Sequence, residues 1–218
     1  MSSVLDVDLD FFGLLDDPVG ELDRLIRWGG RPVDVVVERH HYAFRAWRQA
    51  VKEGAIDEPR FILHVDEHHD MLGEAPPVNF GNFMWFAMDL WPRCRVHWLV
   101  RDPIDSPGQW LSNEAWSRVR RRFTSGPRIP RDWPRPDLVS IATSPGFVEP
   151  ALARALVERV GDHLEPEQHY LPQVRRAGHQ ACLAPEADRR GYQSRSRGSD
   201  SAFADRMSRS RAARFASS

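Results

Sequence analysis

Residues 61–71 read Phe61-Ile62-Leu63-His64-Val65-Asp66-Glu67-His68-His69-Asp70-Met71, an apolar run that breaks into acids and histidines. Side chains two apart on an extended strand end point to one side, so Asp66, His68 and Asp70 converge. Two carboxylates and an imidazole aimed at one point repel or stay desolvated unless a cation sits between them. Oxygen and imidazole donors together suit manganese, iron or zinc. A charged loop after a buried strand would carry similar residue types, but it has no need of the strict alternation.

A second stretch repeats the pattern. Residues 4–12 alternate, with Asp6, Asp8 and Asp10 on one face and Leu5, Val7, Leu9 and Phe11 on the other. Three aspartates stacked on one strand face repel one another, and Lys or Thr would serve a solvated face better. The pattern predicts a metal role for at least two of them. A third polar cluster, Glu38-Arg39-His40-His41, follows the β-branched run at 33–37.

The elements that must position these clusters alternate between strand and helix. Helical spacing of Leu22, Leu25 and Ile26 predicts a helix over 18–28, ended by Gly29-Gly30. A second helix is expected over 42–54, broken at Gly54. Strand, helix, strand, helix, strand implies a three-layer α/β/α fold with a mostly parallel sheet, whose site lies outside the carboxyl ends of the strands. Three clusters at three such ends would meet there.

Further along, Asn79 or Asn82 caps a buried helix running to Met88, and a strand is expected over 95–100. A helix over 110–123 carries Trp116 on its apolar side and the run Arg118, Arg120, Arg121, Arg122, read as a solvated face. A strand over 137–142 runs into Thr143-Ser144-Pro145-Gly146, a loop able to line a pocket. Glu149 either accepts a cationic substrate group or complements the dipole of a helix over 150–160. From Pro185 onward Arg, Ser, Ala and Gly dominate without period, so 1–184 reads as one globular domain and 185–218 as a disordered tail.

Composition narrows the partners. With 30 basic and 31 acidic residues the net charge is −1, which gives no global field for nucleic acid or anionic membrane. The Arg-rich tail is the one segment suited to RNA, and such binding would be salt-sensitive. No stretch approaches the roughly 20 apolar residues of a bilayer span. The 2 cysteines, Cys94 and Cys182, form no framework, which fits a reducing cytoplasm.

Taken together, the motifs resemble the ureohydrolase superfamily of arginases and agmatinases. They are closer still to a small arginase-like family whose described members include peptide arginases, which convert arginine side chains to ornithine in ribosomally made peptides. The D-x-H-x-D motif is matched by Asp66, His68 and Asp70, the D-x-D strand by Asp8-Leu9-Asp10 with Asp6-Val7-Asp8 as the other register, and the strand-end histidine by His40. The resemblance, carried by residues 4–149, implies six ligands (Asp8, Asp10, His40, Asp66, His68, Asp70) for two manganese ions, with one aspartate of each motif bridging.

It further implies urea release from an arginine-containing peptide or a small guanidine, with Asp70 serving in catalysis. In arginase the D-x-D strand follows D-x-H-x-D, so a shared fold would be circularly permuted here. Phe80-Gly81-Asn82-Phe83-Met84 resembles the arginase Ser-Gly-Asn-x-His stretch, which makes Asn82 a substrate-binding candidate. Met84 replaces the proton-shuttling histidine, with His41 or His69 as substitutes. Rival readings are a one-zinc deacylase on the same fold and a binding module whose metal is structural.

Overall fold

A computed structural model describes residues 1–103 and 105–164. Six strands form one parallel sheet: β1 (Ser2–Asp8), β2 (Val35–Val37), β3 (Pro59–Val65), β4 (Arg95–Leu99), β5 (Phe123–Gly126) and β6 (Leu138–Ala142), in the order β2-β6-β1-β3-β4-β5. Among the described residues four α-helices run between strands, α1 (Pro18–Gly29), α2 (His40–Lys52), α3 (Phe83–Leu90) and α4 (Asn113–Val119), and α5 (Pro150–Gly161) follows β6. The fold is therefore the α/β class with a parallel sheet that strand–helix alternation implies. The boundary expected at 184/185 and the tail lie outside the described residues.

Strand β1 lies between β3 and β6, and all of its residues are buried. Its two faces meet different helices. Gly29 of α1 approaches Leu5 and Val139, so the odd-numbered side chains of β1 and β6 face α1. On the opposite face Trp47 of α2 donates its indole N–H to Ser140 Oγ at 3.0 Å, beside Asp6. The aspartates thus project under α2 rather than into solvent, the face that Trp47 and Phe83 close. Leaving the sheet centre, the chain runs from β1 to β2 on one side and from β3 to β4 on the other. The β1/β3 pair is the topological switch point where open α/β sheets place their sites.

Several boundaries differ from the alternation. Strand β1 stops at Asp8, whose Oδ1 accepts the Asp10 N–H at 3.0 Å and turns Leu9–Leu14 into a 3-10 helix. Asp10 is thus on a tight helical turn, not on the strand. His40 opens α2, two residues before the expected start. Residues 66–70 are loop, since β3 ends at Val65. The helix expected over 110–123 shrinks to α4 and is followed by β5, which the sequence reading did not include. Arg122 is not on a solvated face: its guanidinium donates to Cys94 O at 2.7 Å and Met88 O at 3.1 Å, which satisfies the carbonyl end of α3.

No helix among the described residues is long and apolar enough to cross a membrane. Cys94, fully buried between α3 and β4, has its thiol pushed up to about 12 by burial. At pH 8 it should resist iodoacetamide in the folded chain and react once urea unfolds it, because only the thiolate attacks. Peptide mapping reads this directly, and native labelling as fast as in urea would mean that the α3–β4 junction opens.

Candidate metal centre

Asp6 and Asp8 leave the end of β1, Asp10 the turn beyond it, His40 the first turn of α2, and Asp66, His68 and Asp70 the loop after β3. Among the described residues their donor atoms form four groups, each with all atoms within 4.8 Å: Asp8–His40–Asp66, Asp10–Asp66–His68, His64–Asp66–Asp70 and Asp6–His40–His64. The six residues that the resemblance names as ligands all lie in these groups. Asp6 and His64 join them. Asp6 was the alternative register, whereas His64 was given no role of its own, although it continues the 66–68–70 alternation backwards by one step.

Asp66 is the centre of the arrangement. Its Oδ2 lies 3.1 Å from His40 Nδ1 and its Oδ1 lies 3.3 Å from His68 Nδ1, so one carboxylate faces two donor groups. His40 Nδ1 also faces Asp70 Oδ2 at 3.0 Å and Asp8 Oδ2 at 3.5 Å. His68 Nδ1 faces Asp10 Oδ2 at 3.3 Å. The loop is pinned through its backbone: His68 N–H donates to Asp66 Oδ1 at 2.7 Å, and the Trp98 indole donates to Asp66 O at 2.9 Å. Asp70 (φ 50°) and Ser144 (φ 39°) hold left-handed backbone, a strain that clusters at functional sites. Ser144 Oγ donates to Asp8 Oδ2 at 2.5 Å.

The electrostatics fit a cation. Burial and the charge of Asp66 push the Asp70 carboxyl up to about 7, and burial with neighbouring carboxylates raises Asp8 and Asp10. Burial works to raise Asp66 too, but hydrogen bonds from His40 and His68 outweigh it and hold this carboxyl well below its usual range. Burial works against the charge of His40 and His68, yet the surrounding carboxylates raise both well above the ordinary imidazole value. Histidinium here balances the carboxylates that divalent ions would otherwise neutralise. Asp10 Oδ1 is buried without a hydrogen-bond partner, a further donor with nothing else to bind. Residues and donor chemistry therefore fit one or more divalent ions of the oxygen- and nitrogen-binding kind.

His68 is the most exposed side chain of the cluster. His68 keeps 21 % of its side-chain surface exposed, whereas Asp66 keeps 1 %. The Phe147 ring lies 6.3 Å from the His68 ring, Phe80 lies 6.3 Å from Phe147, and the Arg39 guanidinium sits 5.8 Å over Phe80. This aromatic rim was not anticipated. Phe147 follows the Thr-Ser-Pro-Gly loop, whose buried Ser144 reaches the cluster at Asp8.

Four expected site residues are placed elsewhere. His69 turns away: its Nδ1 accepts the Met71 N–H at 3.0 Å and its Nε2 lies 3.1 Å from Asp105 Oδ1. His41 is buried outside the donor groups against Tyr42, and burial with the charge of Arg45 lowers it to about 3, so it is neutral. Asn82 is committed to its own loop, accepting the Asn79 N–H at 2.7 Å and donating to Ala75 O and Pro77 O. Glu149 is the exposed N-cap of α5, accepting the Ala151 and Leu152 N–H groups, which is the helix-start role weighed for it. Met84 is fully buried.

Comparison of the chain with family models, with curated proteins and with solved structures finds no match.

Proposed function

We propose that the chain is a dinuclear manganese hydrolase that converts an arginine guanidinium, carried on a peptide, to ornithine and urea. The observation that carries this reading is Asp66, whose two carboxylate oxygens face the His40 group and the His68 group separately. One ion needs one group; a carboxylate shared between two groups suits two adjacent ions. Asp8, His40, Asp66 and Asp70 would hold the first, and Asp10, Asp66 and His68 the second. Two ions so held make a strong nucleophile from water near neutral pH, which resonance-stabilised guanidine requires.

The chain's own residues supply the rest. The Phe147 ring beside His68 offers the planar guanidinium a face to lie on. Phe83, fully buried against His40 and His64, keeps bulk water from the inner side of the cluster. Asp70 takes the proton given up by water and returns it to the leaving amine, a task for which His41 and His69 are wrongly placed. The position of β1 beside β3, despite its place early in the chain, supports a permuted form of the arginase-like arrangement.

Metal content after reconstitution with manganese, measured beside urea release from an arginine-containing peptide and from free arginine, tests the proposal. Two ions per chain with urea is the expected result. One ion without urea would replace the reading with a mononuclear deacylase, and no ion would remove it. Phe147→Ala should raise KM roughly tenfold with kcat nearly unchanged, as loss of about 1–2 kcal/mol of cation–π contact implies. An unchanged KM would move the substrate away from this rim.

A further inference from the structure

We infer that Asp6 and His64 form a buried positioning pair beneath the metal centre, with Asp6 orienting the ligand His40 and His64 fixing the loop that carries His68. This inference rests on the metal-centre reading and extends it to His64, which the motif resemblance does not include, and to Asp6, which it offers only as the other register of the D-x-D motif. Both side chains are fully buried.

The chain of contacts begins outside the cluster. Trp47 of α2 donates its indole N–H to Ser140 Oγ, so the Ser140 hydroxyl has its own proton to give, and Asp6 Oδ1 receives it at 2.9 Å. Asp6 Oδ2 lies 2.9 Å from His64 Nδ1, and His64 Nε2 lies 3.1 Å from the backbone oxygen of His68. The His64 ring is thus fixed at both nitrogens, between β1 and the loop it must hold. Phe83 packs against both imidazoles, its centroid 5.2 Å from His40 and 5.9 Å from His64.

The same Asp6 Oδ2 is 3.6 Å from His40 Nε2, a buried nitrogen with no hydrogen-bond partner. His40 turns its other nitrogen, Nδ1, toward Asp8, Asp66 and Asp70. An imidazole that ligates through Nδ1 carries its hydrogen on Nε2, and a carboxylate behind that hydrogen sets ring orientation and ligand basicity. Asp6 is that carboxylate. The gap exceeds an ordinary hydrogen bond by roughly 0.7 Å, a distance that a small ring tilt on ligation closes.

Titration of the full chain with cobalt, followed by equilibrium affinity and by the visible absorption of the bound ion, tests the pair. Asp6→Asn should bind the same number of ions at saturation, with affinity weaker by about 10- to 100-fold and an altered cobalt spectrum. A purely structural Asp6 would leave both readouts of the folded chain unchanged, and that result overturns the inference. Loss of one whole equivalent also overturns it, because Asp6, His40 and His64 would then be an ion site themselves. If Asp6→Asn does not fold, Asp6→Asn with His64→Gln, which keeps a neutral hydrogen-bonding pair, should show the same weakening, and wild-type affinity there overturns the inference. A wild-type chain that takes up no cobalt overturns the metal-centre reading itself, an outcome distinct from a normally loaded wild type beside an unaltered variant.

Discussion

Asp66→Asn should leave a folded chain that holds neither ion firmly and releases no urea. Both oxygens of this carboxylate are in use, Oδ2 toward His40 and Oδ1 toward His68 Nδ1 and the His68 N–H. An amide replaces one of them with an NH2 donor, which cannot ligate and points at whichever group it faces. The fold should survive, because the Trp98 indole holds the residue by its backbone oxygen, which the substitution leaves in place. Thermal melting with and without manganese separates the two effects. Ion at about 100 times its dissociation constant adds about 2.7 kcal/mol, or roughly 5–11 °C for a domain of this size. The wild type should show that gain and Asp66→Asn should lose most of it. A variant with full metal content and wild-type turnover would sink the assignment of the site.

Phe83→Ala should be the most damaging single change to stability. The ring is fully buried, and it contacts the imidazoles of His40 and His64 and the Trp47 indole, whose centroid is 5.9 Å away. Truncation removes its transfer energy and leaves a cavity under the site, a cost of about 3–5 kcal/mol. Melting should fall by roughly 6–20 °C in protein stripped of metal. Affinity for manganese should fall as well, since two rings lose the surface that sets their tilt. Leu90→Ala on the same helix provides the comparison: this side chain is 47 % exposed, and its truncation should stay within about 0.5 kcal/mol. If the two variants melted together, Phe83 would not be the wedge described.

Period two was the most legible feature of the sequence. It put Asp6 and Asp8 on the correct side, because neighbours on both flanks of β1 enforce the pleat, whereas His68 and Asp70 reach the cluster from the loop after β3. It failed where a side chain competes with the strand. Asp8 captures the Asp10 N–H and coils the segment, yet the coil still delivers Asp10 to the cluster. His64 was passed over beside the D-x-H-x-D pattern, although its parity already matched the metal face. β5 was illegible because Phe123-Thr124-Ser125-Gly126 has little apolar pattern; it forms as an edge strand against β4. Asn82 illustrates the opposite error, in which a residue type that suits a ligand is absorbed by the local backbone, while Glu149 takes the helix-start role that was one of its two readings.

The place of β1 also sets a timetable. It precedes every other strand in chain order yet occupies an interior position, and β6, which covers its second edge, begins at Leu138. At about 5–20 residues per second, the ribosome delivers that partner roughly 7–26 s after Asp8. During that interval an apolar strand bearing two aspartates, Asp6 and Asp8, has a free edge. A chain interrupted before Leu138 therefore exposes a templating surface for aggregation, and the cluster gains its Ser140 and Ser144 contacts only as synthesis passes Ser144.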